Sequence, residues 1–498
     1  MIQQLPAIII IVPLVTSFFI FFAGWWYKRL AYPLAVTAMA ICTLSAAGIL
    51  KSVILNGTIS YWLGGWTPPW GIEYRIDHLN AAMLVVVSVL SLLAAIHAHK
   101  SVERELPEKT TLFWSLFVLM ITGLLGICIT GDLFNLFVLL EVASLSGYAL
   151  IAMGENRATY ASFRYVIIGT IGASLYLLGV GYLYIISGSL NMADLSKLLP
   201  KLYHSKTVLA GFAFILVGLS IKMALFPLHG WLPDAYTYAP SAVSIAVAPL
   251  VTKVMAYVII RLTFTVFSAE FSISILRVTD VMIWIGTLAV FFGAFMALAQ
   301  SDFKRMLSYV VIAEIGYIVG GIGVANTTAL KGAIFHIVND AMMVACLFLV
   351  AGLVMYRTDG HRIDNFKGVF RTMPVTAATF TIGALAVIGV PPTCGFFSKW
   401  YLLLGGINAG QWAFVAALLV STLINVALFF RIFDKGLFVH AHQSLPDSSD
   451  TKDALQAHEA PLSMLMPAVV LALAILLVGV FNQIIVSRVI RFAVPIGL

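Results

Sequence analysis

Charge is what this chain of 498 residues has least of: only 10% of its residues are Asp, Glu, Lys or Arg, where a soluble protein carries about a quarter. That deficit leaves too little polar sequence to wet a water-soluble enzyme, a nucleic-acid binder or a disordered scaffold. Cysteine is scarce too. Cys42, Cys128, Cys346 and Cys394 stand singly inside apolar stretches with no C-x-x-C, which suggests neither a disulfide framework nor an iron–sulfur cluster. No signal favours a haem, so no cofactor, metal or catalytic redox centre is expected on this chain. The 29 Lys and Arg are dispersed in ones to fours rather than gathered into a stripe, and the net charge of +7 therefore reports topology, not a nucleic-acid surface. Residues 1–23 lack the basic start and small-residue cleavage pattern of a signal peptide and read as a retained first span.

What abounds is apolar sequence: 61% of residues are hydrophobic and the mean hydropathy is +1.01. A membrane-crossing helix takes roughly 20 apolar residues. Runs of that kind begin near Leu5, Leu30, Leu79, Leu112, Leu133, Tyr160, Val208, Ala242, Val281, Met306, Thr328, Val375, Trp412 and Leu462. The expectation is an all-α polytopic membrane protein of about fourteen spans. The longest polar segments are 51–75, 357–371 and 440–459, and the acidic, Ser-rich last one reads as a mobile surface loop. Counting Lys and Arg on alternate sides gives fourteen against nine, so the heavier side should be cytoplasmic and both termini non-cytoplasmic in the cell membrane.

Six further cations, Arg164, Lys222, Lys253, Arg261, Lys399 and Arg431, fall inside or at the edges of spans, with the acids Asp132, Glu141, Glu314 and Asp340. A charge at the bilayer centre costs at least about 2.5 kcal/mol, so each needs a partner, a cavity or water. Arg261 and Arg431 lie near helix ends and read as snorkelling anchors. Asp132 follows a glycine at the start of a span, where a carboxylate could serve the helix N-terminus or a pathway equally. Glu141 lies nine positions further on and needs a cationic neighbour.

Lys222 sits in SIKMALFPLHGWLPDA, where Pro227 and Pro233 should break the helix. Lys399 has the reverse grammar, following Pro391, Pro392 and Gly395 in GVPPTCGFFSKW. Broken helices at membrane depth usually line ion sites, and two of them point to related halves with a site in each. Between them lie Lys253, and His336 with Asp340 one turn apart on a helix face, which suits either a structural hydrogen bond or a proton relay. His229, close to the broken region, is placed to pass a proton between lysines. His97 with His99, and His440 with His442, look interfacial.

The strings GDLFNLFVLLEV from Gly131, SIKMALFPLHGWLPDA from Ser220, PLVTKVMAY from Pro249 and GVPPTCGFFSKW from Gly389 resemble the antiporter-like membrane subunits shared by Mrp-type sodium/proton antiporters, respiratory complex I and membrane-bound hydrogenases. The first string is most similar to the D-type subunit of Mrp antiporters. The resemblance implies fourteen helices with two inverted five-helix repeats, the seventh and twelfth helices being discontinuous. It implies a division into an N-terminal segment 1–110, repeats 111–265 and 266–435, and a cytoplasmic loop with the last helix, 436–498.

By the same resemblance Glu141 matches the fifth-helix glutamate, Lys222 its seventh-helix lysine partner, Lys253 the eighth-helix lysine and Lys399 the twelfth-helix residue. Lysine at that last position leans toward the D-type Mrp or hydrogenase-linked relatives. Two departures stand out: Val344 replaces an eleventh-helix lysine of many relatives, and Glu314 replaces a usual glutamine. The expected pathway is therefore Glu141, Lys222, His229, Lys253, His336, Asp340 and Lys399, with Asp132, Arg164 and Glu314 as secondary candidates. The implied partners are other hydrophobic membrane subunits and protons, with Na+ as a candidate second ion. Two drivers fit, a cation gradient or a redox enzyme on partner subunits; a stand-alone solute carrier would leave the charged motifs without a use.

Overall fold

In the computed structural model, residues 2–24, 26–358, 360–437 and 459–495 are described. The expected loop 440–459 lies outside them except for Glu459. Fourteen membrane helices follow in order: α1 Leu5–Ala23, α2 Ala31–Asn56, α3 His78–Glu105, α4 Thr110–Ile129, α5 Leu133–Ala152, α6 Ala158–Ser187, α7a Lys206–Met223 with α7b Leu232–Tyr238, α8 Ser241–Ile260, α9 Val278–Leu298, α10 Phe303–Val324, α11 Thr327–Thr358, α12a Pro374–Ile388 with α12b Cys394–Asn408, α13 Trp412–Leu437 and α14 Leu462–Val480. Each begins within three residues of the start expected from its apolar run. Among the described residues thirteen helices are individually long and apolar enough to cross a bilayer, and α12 crosses as two halves.

The two breaks fall where proline and glycine demand them. Helix α7a stops at Ala224, which adopts a left-handed φ of +60°. Of the two prolines expected to disrupt this span, Pro227 lies in the gap, whereas Pro233 sits in the first turn of α7b, where its missing N–H would be unpaired anyway. Helix α12a stops at Gly389 with φ +91°, and Pro391 and Pro392 hold the chain open until α12b starts at Cys394. Glu459 fastens the far end of α12a, its carboxylate accepting from Val375 N (2.6 Å), Thr376 N (3.2 Å) and Thr376 Oγ1 (2.7 Å), as an anion should at a helix N-terminus.

Helices α4–α8 and α9–α13 repeat one plan, in which the fourth helix is the broken one. The backbone confirms the register. Leu133 N donates to Leu190 O (2.9 Å) and Met192 N to Gly131 O (2.8 Å); in the second unit Phe303 N donates to His361 O (2.8 Å) and Ile363 N to Ser301 O (2.9 Å). In both, an aspartate, Asp132 or Asp302, caps the second helix and bridges the loop ahead of the fourth. Five is odd, so the second unit enters the membrane from the opposite face and the repeats are inverted.

Helices α8, α10 and α11 form the centre, buried along almost their whole lengths, while α1, α6, α9 and α13 expose large apolar side chains such as Phe22, Phe163, Trp284 and Leu423. Close approach rests on glycine where helices cross tightly. A Cβ on Gly286 of α9 would lie 2.5 Å from Gly320 N of α10, which is how membrane helices pack without a hydrophobic drive. A two-stranded hairpin, β1 Ile59–Trp62 with β2 Glu73–Ile76, covers the α2–α3 connection.

Two expectations are corrected. Arg261 does not snorkel: its guanidinium binds Asp77 in a fork, Nη1 to Oδ2 at 2.6 Å and Nη2 to Oδ1 at 2.8 Å. Mostly buried at the end of α8, it meets the Asp77 carboxylate at the start of α3 instead of a headgroup. His97 is not interfacial but fully buried, with Nδ1 2.8 Å from Met464 O of α14, because α14 folds back over that face of α3; His99 does lie at the edge, stacked on Tyr32. Arg431 anchors differently, donating to Leu298 O (3.0 Å) and Gln300 O (2.7 Å) past the end of α9.

Burial pushes the Asp77 carboxyl up, but the Arg261 charge and hydrogen bonds, with the backbone N–H groups of Asn80 and Leu79, outweigh it and hold it below the ordinary value. A depressed folded-state pKa contributes stability above the unfolded value of about 4 and loses it as pH falls through the folded value. Arg261→Met should lower unfolding stability in detergent by roughly 1–3 kcal/mol and should erase this acid-dependent step from the melting temperature; an unchanged acid profile would show that the pair carries no such linkage.

Candidate proton pathway

Three groups of buried charge lie on facing helices. The first joins α5 to the end of α7a. Lys222 Nζ is 3.1 Å from Glu141 Oε1 and donates to Ser144 Oγ (2.9 Å) and Tyr148 OH (3.2 Å). Residues 141, 144 and 148 share one helix face, so α5 presents three acceptors to one ammonium. The lysine is 3% exposed and the glutamate 23%. The pairing expected for Glu141 is thus made by the lysine at the break, as the family pattern implied.

The second group is central. Lys253 Nζ of α8 lies 2.9 Å from Asp340 Oδ2 of α11, and both are sealed from solvent. The third joins α10, α11 and α12b. His336 Nε2 is 2.7 Å from Glu314 Oε2, His336 Nδ1 is 2.9 Å from Ser398 Oγ, and Lys399 Nζ lies 3.5 Å from Glu314 Oε1. Lys399 also donates to Val387 O (2.5 Å), a carbonyl freed by the break in α12, and lies over the Tyr317 ring. His336 and Asp340 therefore share a helix face without bonding each other, and each takes a partner from a different helix.

Beside Lys222 the space toward α8 is tight. A cavity of about 10 Å³, walled mainly by Leu124, Leu140, Val247, Val251 and Met255, is the opening found there. That is at the limit of what one water needs.

Other expected residues fall outside these groups. Asp132 accepts from Asn135 N (2.7 Å) and serves the N-terminus of α5. Arg164 of α6 binds Asp234 of α7b at 3.1 Å. His229 packs against Phe226 and against Phe292 of α9. Its Nδ1 is buried with no hydrogen-bond partner among the described residues.

Sequence reasoning missed two features. Asp234 is held by two arginines, Arg164 and, at 3.0 Å, Arg305 of α10, so the half-helix α7b is tied to both repeats. The signal was present, since Asp234 lies in the quoted seventh-helix string. A cavity of about 390 Å³ is lined by Glu105, Lys304, Thr237, Tyr238 and His361 together with apolar side chains such as Leu106 and Met355. There Lys304, counted from sequence as a loop cation, is buried and donates to Ala239 O (2.6 Å).

Residues 130–425, more than half of the chain, match the family described as NADH:quinone oxidoreductase/Mrp antiporter, TM. The chain belongs to that family. It is 43% identical to the N-type subunit of the NADH-quinone oxidoreductase of Desulforudis audaxviator, covering 99% of both chains. It is 33% identical to the D-type subunit of the Na(+)/H(+) antiporter of Alkalihalophilus pseudofirmus over 85% of each. Among solved structures it is similar to a chain of the membrane-bound sulfane sulfur reductase, an archaeal respiratory membrane complex, with a TM-score of 0.88, 31% identity and coverage of 99% and 98%. The family resemblance read from the four strings holds, and this is a polytopic antiporter-like subunit.

Removing one member of the central pair leaves a buried charge alone, whereas removing both leaves none. Lys253→Met should therefore destabilise the protein by about 3–5 kcal/mol, and Lys253→Met with Asp340→Leu should recover most of that loss. Chemical denaturation of the two variants in detergent checks this, and equal losses in both would count against a paired centre.

Proposed function

We propose that this chain translocates protons within a multi-subunit membrane complex, along Glu141, Lys222, Lys253, Asp340, His336 and Lys399. The observation that carries this reading is the pairing of every buried lysine in the row with an acid on a different helix. An adjacent carboxylate favours the ammonium, burial disfavours it, and separating the pair reverses the balance. Lys222 holds its proton while Glu141 stands 3.1 Å away and releases it when the carboxylate withdraws. Each pKa unit is worth about 1.4 kcal/mol, and buried lysines shift by about 3 to 5 units, so a movement of a few ångströms suffices to switch the carrier. His229 stands apart from this row and is left out of it.

The charge count along the loops supports both termini on the non-cytoplasmic side, and the division into an N-terminal segment, two repeats and a last helix belongs to the same proposal. Two drivers remain in the reading. An Mrp-type complex would couple protons to a cation such as Na+, which the 33% identity to a D-type antiporter chain supports. Identity of 43% along the whole length to a chain of a quinone oxidoreductase, together with the respiratory reductase likeness, favours a complex whose partner subunits supply redox work.

In the intact complex reconstituted into liposomes, Lys222→Ala should reduce proton translocation to the background of empty vesicles while all subunits still co-purify. Normal flux in that variant would remove the pathway. Mass spectrometry of the same preparation separates the drivers: iron–sulfur or nickel–iron proteins indicate the redox complex, and small hydrophobic subunits alone indicate the antiporter.

A further inference from the structure

The hydrogen bonds that define the two repeats relate residue 131 to 301 and residue 133 to 303. The same shift of 170 positions carries Ser144 onto Glu314. Ser144 is the hydroxyl that accepts from Lys222 in the first repeat, one turn from Glu141. In the second repeat its place is taken by a carboxylate, which faces the lysine of that repeat's broken helix. Glu314 is fully buried where Glu141 is partly open, and it lies between two basic groups rather than beside one.

We propose that Glu314 is the proton-transferring carboxylate of the second repeat, carrying a proton between His336 and Lys399; this rests on the pathway proposed above. The surroundings of His336 suit it to change charge in place. As the neutral ring left when Nε2 gives up its proton, it donates from Nδ1 to the Ser398 hydroxyl oxygen and accepts at Nε2 from the protonated Glu314 carboxyl. As an imidazolium it donates from both nitrogens, and in both states the Ser398 hydrogen goes to Gly395 O, 3.2 Å away. On either side of this first transfer each of these polar atoms keeps a partner, so the proton passes from ring to carboxyl without orphaning a buried group.

The transfer has two steps. The imidazolium Nε2–H bond breaks and the proton forms an O–H bond on Glu314 Oε2, leaving neutral histidine and neutral acid. Rotation of the carboxyl group presents that hydrogen to a neutral Lys399 amine, which takes it to become an ammonium while Glu314 returns to the carboxylate. Val387 O and the Tyr317 ring then hold the ammonium from the other side. The groups facing Glu314 are Lys399 on α12b, His336 and Asp340 on α11, Lys253 on α8 and Tyr317 on its own helix. Of these, His336 and Lys399 touch its oxygens.

The test uses the intact complex in liposomes with three variants, Glu314→Gln, Glu314→Asp and Lys222→Ala. Glutamine keeps an acceptor for His336 but cannot carry the proton. Glu314→Gln should lower proton flux on the order of a hundredfold with subunit composition unchanged, and Glu314→Asp should restore part of it. The infrared difference spectrum between resting and turning-over wild-type complex should contain a protonated-carboxyl C=O band that Glu314→Gln lacks and Glu314→Asp shifts, a signature that a merely structural side chain would not give. Flux within about twofold of wild type in Glu314→Gln, in a preparation where Lys222→Ala is inactive, overturns this proposal alone, since loss of a general acid–base group costs far more. Full activity in both variants overturns the pathway itself. If Glu314→Gln fails to assemble, the Glu314→Asp band decides, supporting the proposal if it shifts and overturning it if it does not.

Discussion

A charge in hydrocarbon has to be met by an opposite charge that arrives on another helix, and this pairing governs both how the bundle packs and what it does. Lys253 on α8 reaches Asp340 on α11, Lys222 on α7a reaches Glu141 on α5, and Arg261 at the end of α8 reaches Asp77 ahead of α3. Each pair ties together helices that lipid gives no hydrophobic reason to associate, and each fixes their rotation and depth to within a hydrogen bond. Pairing also makes protonation negotiable. Two partnered groups can share a proton at small cost, whereas an isolated buried charge cannot lose or gain one without a large penalty.

The broken helices extend this logic to the backbone. Interrupting α12 frees Val387 O, and Lys399 uses it. Interrupting α7 leaves Ile221 O to accept from Ala224 N (3.1 Å) in place of the usual helical donor, and the indole N–H of Trp231, 2.9 Å away, joins it. Trp231 in turn stacks on Tyr165, which packs edge-on against Tyr148, a direct partner of Lys222. Chain geometry around the break is thereby connected to the lysine, while Asp234 binds α7b to Arg164 in one repeat and Arg305 in the other. Irregular backbone is tolerated at this depth because protein groups, not lipid, surround it.

The repeats share a scaffold and differ in content. Backbone pairing at Asp132 and Asp302 is the same, so the second helix of each repeat enters at the same place. On that common frame the first repeat carries its acid at position 141, partly open. The second carries its acid one turn deeper, sealed and flanked by a histidine. Symmetric architecture thus supports an asymmetric row, with a partly open acid in one repeat and a sealed acid in the other.

Reading along the chain determined the fourteen spans, the two interruptions and the residues whose charge is out of place, because each depends on local features: the length of an apolar run, proline and glycine at a turn, an ionisable group amid hydrocarbon side chains. Glu141 with Lys222 was legible through the family pattern. Which acid meets which base elsewhere was decided only by the tertiary structure. Asp340 was read as a partner or relay of His336, yet it lies against Lys253, 87 positions away in sequence; Arg261 read as an anchor and is an ion pair; His229 read as a relay and packs among phenylalanines. A partner is set by the rotation and depth of two helices that packing alone brings together, and helical periodicity says which face a side chain occupies without saying which helix that face will meet.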